Sequence, residues 1–227
     1  MGFDTFRTEL RQALSAAGDP RRAEQQRRYL KSEMPMYGVG VPAVRKIAVA
    51  LAEDHPALWT PGSWASSLRR LWDGAERREE RFAALAIIRS RRSRELASRT
   101  GSLGLYKHLI RSGAWWDLVD ETSHAVGLVL LQHPDQAVTM RAWARDDDRW
   151  IRRSAIICQL QHKARTDVGL LTDAIEANLI DGEFFIQKAI GWSLRDYART
   201  NPDWVRAFVE SHPDLSRLSL REATKHL

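Results

Sequence analysis

Asp148-Arg149-Trp150-Ile151-Arg152-Arg153-Ser154-Ala155-Ile156 reads as the opening of an amphipathic helix. Asp148 is a capping residue, and apolar side chains recur at three- and four-residue spacing behind it. Arg152 and Arg153 fall one turn in, where a basic side chain points along one surface of the helix. The same period runs outward in both directions. Phe3, Phe6, Leu10 and Leu14 form one stripe; Val44, Ile47, Ala48 and Leu51 form another; Phe82, Leu85 and Ala86, then Leu118, Val119, Val126 and Val129, continue it. No sustained alternation of polar and apolar residues argues for strands. Breaks fall at Gly18-Asp19-Pro20, Met34-Pro35, Gly38 to Pro42, Asp54-His55-Pro56, Thr60-Pro61-Gly62, His133-Pro134-Asp135, Asn201-Pro202-Asp203 and His212-Pro213-Asp214. Several put Asp, Asn or Thr beside a proline at a helix start, where the missing amide costs nothing. The chain is predicted to be all-α, with roughly a dozen short helices.

The breaks mark out helix–turn–helix units of roughly 35–45 residues, the size of a two-helix solenoid repeat. Asp148 to Ile156 resembles the start of a HEAT-repeat helix. The expected architecture is one domain over residues 1–227: a curved right-handed α-solenoid of HEAT-like antiparallel helix pairs with a concave basic surface.

Composition sets the class of partner. Among 227 residues, 44% are hydrophobic and 28% charged, as in ordinary globular proteins. Thirty-five Lys and Arg against 29 Asp and Glu give a net charge of +6, with a pI near 9.8. That balance suits a polyanion. Cys158 is the single cysteine, which excludes an internal disulfide and a cysteine-built zinc site. The seven histidines show no metal-ligand spacing, and no phosphate-binding loop, dinucleotide fingerprint or nucleophile elbow is present. Met1 to Phe6 opens an amphipathic helix rather than a secretion signal, and no apolar run reaches membrane-spanning length. A cytoplasmic monomer without cofactor or metal is expected.

The strongest chemical signal is Trp115-Trp116-Asp117-Leu118-Val119-Asp120. Residues four apart share a helix face, so Trp116 and Asp120 would set an aromatic wall beside an anion. An unpaired carboxylate makes poor core material; one beside an indole suits a reaction in which positive charge develops on a ring. Trp115 is the better candidate for packing between repeats. Asp120 to Arg153 spans 33 positions and Arg153 to Trp192 spans 39, each about one repeat, so all four side chains could share one surface. Gly191, inside an otherwise periodic helix, permits a close approach, either by a neighbouring helix or by a ligand beside Trp192. The clusters Arg21-Arg22, Arg27-Arg28, Arg45-Lys46, Arg89 to Arg94, Arg152-Arg153 and Lys188 would track a phosphate backbone if they line an inner surface.

Five segments together resemble the AlkD-type DNA alkylpurine glycosylases. They are Trp116-Asp117-x-Val119-Asp120, Trp150 to Ile156, Glu183 to Trp192, Arg195-x-Tyr197-Ala198-x-Thr200-Asn201-Pro202 and Leu218-Ser219-x-Arg221-Glu222-Ala223. The resemblance implies a HEAT-like solenoid that acts on double-stranded DNA containing alkylated purines. It implies that Asp120, Trp116 and Trp192 are catalytic and that Arg153 and Tyr29 contact DNA, with Gly40, Arg45, Lys188 and Arg195 on the same binding surface. Gly40 stands where the family's loop carries a glutamine, and Gln161 where it has a lysine. The activity implied is that of a monofunctional glycosylase releasing cationic N3- or N7-alkylated purines without base flipping. A glycosylase specialised for bulky genotoxin adducts, a non-catalytic HEAT-like DNA-binding protein and a protein–protein scaffold remain open at this stage.

Overall fold

The helix starts follow from local chemistry. Asp148 accepts from the Trp150 amide at 2.7 Å, Asn201 from Trp204 at 3.1 Å, Asp167 from Leu170 at 3.0 Å, and Asp19 from Arg21 and Arg22 at 2.8 and 3.2 Å. Each satisfies an amide that a helix start leaves without an intrahelical partner. The computed structural model describes residues 2–227, so Met1 of the expected N-terminal helix lies outside it. The described residues hold fourteen α-helices and no strand. None is long and apolar enough to cross a membrane. The chain falls into two compact units, Met1–Leu105 and Tyr106–Leu227.

The first unit contains α1 (Phe3–Ala16), α2 (Pro20–Leu30), α3 (Val41–Glu53), α4 (Trp64–Asp73), α5 (Arg78–Ile88) and the single turn α6 (Arg94–Ala97). The expected stripes bury Phe6, Leu10 and Leu14 of α1 and Val44 and Ala48 of α3. Helices α1, α3 and α5 pack side by side, with α4 against α5. Trp64 and Trp72 fill this core, and the Trp64 indole donates to Ser93 at 3.0 Å.

The second unit holds α8 (Trp116–Gln132), α9 (Ala137–Trp143), α10 (Arg149–Ile157), α11 (Val168–Glu176), α12 (Phe184–Ala198), α13 (Pro202–Ser211) and α14 (Arg217–Ala223), after α7 (Leu103–Gly113). Helix α10 touches α8 and α12, and α12 touches α14; α9 touches α11. One layer, the more buried and here called inner, therefore stacks α8, α10, α12 and α14, and α9 packs on α11. This is a helical-repeat fold.

The polar bonds between neighbouring repeats carry the period. Ser123 donates to Ser154 across 31 positions, Arg153 to Asp120 across 33, Lys188 to Glu222 across 34, Asn178 to the Ala144 carbonyl across 34 and Arg111 to Asp146 across 35. These links span 31 to 35 positions, at and just below the short end of the roughly 35–45 residues suggested by the breaks. Two glycines keep the same register. A Cβ on Gly127 would lie 2.1 Å from the Cys158 carbonyl oxygen, and one on Gly191 would lie 2.8 Å from that of Ser219. Both let one inner helix press against the next.

His162 belongs to the Gly127 contact: its Nε2 would sit 3.0 Å from a Cβ there. Burial, with Arg165 nearby, lowers its pKa from 6.5 to about 4. The unfolded chain therefore binds this proton more tightly, so stability present above pH 6.5 is lost as pH falls toward 4. The expected slope in that window approaches about 1.4 kcal/mol per pH unit for one such proton. Urea unfolding at pH 7, 5.5 and 4.5 should show that difference between the protein and His162→Gln; parallel curves would assign the acid sensitivity elsewhere.

Candidate active site

Asp120 and Arg153 form the centre of the second unit's inner layer. Asp120 lies one turn into α8, and Arg153 occupies the middle of α10, one repeat later. The guanidinium meets the carboxylate with two bonds, Nε to Oδ1 at 2.7 Å and Nη2 to Oδ2 at 2.8 Å. Its Nη1 donates to the Phe185 carbonyl at the start of α12. One side chain thus ties three successive inner helices. The side chains are 14% exposed for Asp120 and 5% for Arg153. Burial pushes the Asp120 carboxyl above its ordinary value, and Arg153 opposes that shift by hydrogen bond and charge. The arginine therefore favours the anion in a setting that otherwise disfavours it.

The aromatic residues divide into support and surface. Trp115 caps α8 in an extended conformation, outside the helix. Its ring packs with Trp150 at 6.1 Å and Phe185 at 5.5 Å, and Trp150 and Phe185 lie 5.0 Å apart. That cluster backs the Arg153–Asp120 pair, with the guanidinium 5.9 Å from the Phe185 ring centre. Trp116, at the first position of α8, and Trp192, in the middle of α12, are both partly exposed. Phe184 is exposed on the rim beside Phe185, at 5.3 Å.

Several expected residues sit differently from their sequence reading. An arginine reaching out to a phosphate is expected at position 153; this one is buried and fully engaged by Asp120 and a backbone carbonyl. Its cost of burial is met inside the protein, which makes it a holder of the carboxylate. Bonding across the inner layer matches Arg153 with the first turn of α12, at Phe185, which puts Trp192 about two turns further along that helix. Gly191 is filled by α14: a Cβ there would meet Glu222 at 2.5 Å, so helix packing and not a ligand accounts for it. Lys188 and Arg195 flank that contact and both bond Glu222. Gln161 lies beyond the end of α10 with φ 67°, its amide donating to Asp196 at 2.8 Å, and is not in a helix.

In the first unit, Tyr29 is 74% exposed on α2, and Arg45 is exposed on the first turns of α3. The approach to α3 depends on a residue that the sequence reading passed over. Glu79, wholly buried, accepts from the amides of Tyr37, Gly38 and Val39 at 3.0, 2.7 and 3.1 Å. Glu80, equally buried, takes Arg11 Nε at 3.0 Å and the Tyr37 hydroxyl at 3.2 Å. Within Arg77-Arg78-Glu79-Glu80-Arg81 nothing distinguishes these carboxylates from solvated ones. Gly38 needs its left-handed φ of +84°, and a Cβ there would lie 2.0 Å from the Asp19 carbonyl. Gly40 has neither constraint. It caps α3 at φ −70°, and its nearest neighbours stand 3.9 Å and more away. Among the described residues no group of three or more His, Cys, Asp or Glu is gathered as a metal seat.

A family model described as DNA alkylation repair enzyme matches residues 10–227. The chain belongs to that family. Among solved structures, a predicted DNA alkylation repair enzyme from Enterococcus faecalis is 28% identical with a TM-score of 0.83, over 92% of this chain and 96% of that one. AlkD2 from Streptococcus mutans shares 15% identity and a TM-score of 0.64, over 90% and 99%. The Pseudomonas fluorescens alkylpurine DNA glycosylase AlkC, bound to DNA containing an abasic site analog, shares 15% with a TM-score of 0.51, over 98% and 61%. The last two likenesses are of fold. No curated protein matches the chain.

Removing one partner of a buried ion pair leaves the other uncompensated, at about 3–5 kcal/mol. Arg153→Ala is expected to lower unfolding stability on that scale, measured by urea titration with circular dichroism. A loss below about 1 kcal/mol, the range of solvated pairs, would show that the pair does not hold the inner layer.

Proposed function

We propose that this member of the DNA alkylation repair family is a monofunctional DNA glycosylase, which hydrolyses the N-glycosidic bond of cationic N3- or N7-alkylated purines in duplex DNA and leaves an abasic site. The observation that carries the reading is the fixed carboxylate of Asp120, nearly enclosed and held by two bonds from Arg153. Alkylation makes the base a cationic leaving group, so its departure needs no general acid. As the bond to C1′ breaks, positive charge moves onto the sugar. One carboxylate then suffices where ordinary glycosidases use two.

Asp120 stabilises that cation and orients the attacking water. Its orientation is set before substrate arrives, which is the condition under which an electrostatic contact is most effective. Trp116 and Trp192 present indole faces that favour positive charge and exclude water. Tyr29 and Arg45 offer the first unit's exposed contacts to the duplex, and phosphates supply affinity and register. Recognition through backbone and sugar allows the damaged base to remain unflipped. Arg153 acts through Asp120.

Incubation of methylated duplex with the protein, followed by chromatography of released bases, tests the activity. Asp120→Asn should lower excision by about 10²–10³, the scale for losing one preorganised electrostatic contact, with duplex binding nearly unchanged. Release at the original rate would remove Asp120 from the chemistry, and binding without any release by the unaltered protein would favour a non-catalytic DNA-binding protein.

The space at Gly40 supports a second element of the proposal, tolerance of bulky adducts. A Cβ at position 40 meets only ordinary van der Waals contacts, at 3.9 Å and beyond, so Gly40→Gln should fold normally. It is expected to reduce excision of a bulky N3 or N7 adduct severalfold while leaving a small N3-methyl base unaffected. Equal rates on both substrates would separate position 40 from lesion choice.

A further inference from the structure

Three residues on one face of α12, Lys188, Gly191 and Arg195, receive a single side chain from α14. The carboxylate of Glu222 accepts from Lys188 Nζ at 2.9 Å through one oxygen and from Arg195 Nη1 through the other. Gly191 makes this possible, since its missing Cβ is the space into which the Glu222 side chain descends. Ser219, one turn earlier on α14, donates to the Gln187 carbonyl at 2.9 Å and fixes the register. The Lys188 hydrogen bond first, with the charges of Lys188, Arg195 and Lys225, holds the Glu222 carboxyl below its ordinary value, against desolvation, which opposes the shift. Trp192 is the next residue after Gly191.

The two cations differ from Arg153 in one decisive respect. Lys188 is 39% exposed and Arg195 21%, whereas Arg153 is 5% exposed. An anion arriving from solvent can reach the first two and not the third. A carboxylate and a phosphodiester are both anionic forks that such donors recognise. Partly exposed ion pairs contribute little net stability, so one anion can be exchanged for the other at small cost.

We propose that the Glu222 carboxylate is a resident surrogate for a DNA phosphate: it occupies a two-cation seat of Lys188 and Arg195 in the free protein, and a backbone phosphodiester takes its place when duplex binds. The proposal rests on the reading that this face meets DNA. It explains why an anion lies between two cations beside Trp192. It also limits affinity, because each phosphate seated releases a counterion from DNA while the displaced carboxylate recovers one.

Fluorescence anisotropy with undamaged duplex, over about 50–200 mM salt, tests it. Glu222→Gln keeps the size of the side chain and removes its charge. It should bind severalfold more tightly at the low end, and its plot of log affinity against log salt should steepen by about one, the increment for one additional phosphate contact. In Glu222→Gln combined with Lys188→Gln, the gain should disappear. A single variant that keeps the original affinity and slope with an unchanged melting curve overturns the proposal. A test on the unaltered protein does not depend on how a variant folds. Carbodiimide labelling read by mass spectrometry should rise severalfold at Glu222 when duplex is added, and labelling that stays level or falls refutes displacement. If the unaltered protein fails to bind duplex at all, the DNA reading itself falls; if it binds while Glu222 is indifferent, only the surrogate falls.

Discussion

A guanidinium cannot be withdrawn from water without an anion and further acceptors to replace its hydration. In the second unit that requirement is met by Asp120 and the Phe185 carbonyl, one from each neighbouring inner helix. The same bonds that make Arg153 tolerable in the interior fix the carboxylate in place. Structure and proposed chemistry therefore share one interaction. The aromatic cluster of Trp115, Trp150 and Phe185 supplies the apolar wall behind it, and the exposed indoles are set by the helices that the pair holds together.

Repetition extends this arrangement through the unit. Ser123 with Ser154, Asn178 with Ala144, and Lys188 with Glu222 join positions about one repeat apart. Gly127 and Gly191 occur where a neighbouring helix comes closest. Polar bonds and close approach thus coincide in register. The inner layer has short polar links between its helices in addition to apolar burial, and each link satisfies groups that burial would otherwise penalise.

Much of this was legible in the chain. Helical periodicity, the caps at Asp148 and Asn201 and the proline breaks gave the all-α class, because they act locally. The Trp116–Asp120 pairing on one helix face was equally accessible. What one sequence withholds is which charges are enclosed. Nothing local marks Glu79 and Glu80 as buried within their charge run, and Arg153 reads as a contact to DNA, because their burial depends on partners 33 to 69 positions away. Gly191 admitted two explanations until α14 was seen to fill the space beside it. Repeat spacing also located Trp192 loosely, since an offset of 39 exceeds the 31 to 34 positions bridged by the polar links quoted for the inner layer.

The loop before α3 separates shape from side-chain identity. Its amides are gathered by Glu79, a residue forty positions later, so the path from Tyr37 to Val39 is dictated from beneath. Gly38 is locked by its backbone angle, whereas position 40 lies just past the tethered amides with room for a Cβ. An anchored stem carrying an unconstrained tip is a form on which mutation can explore new side chains without risking the scaffold. Diversification among related proteins would be expected to concentrate at that tip.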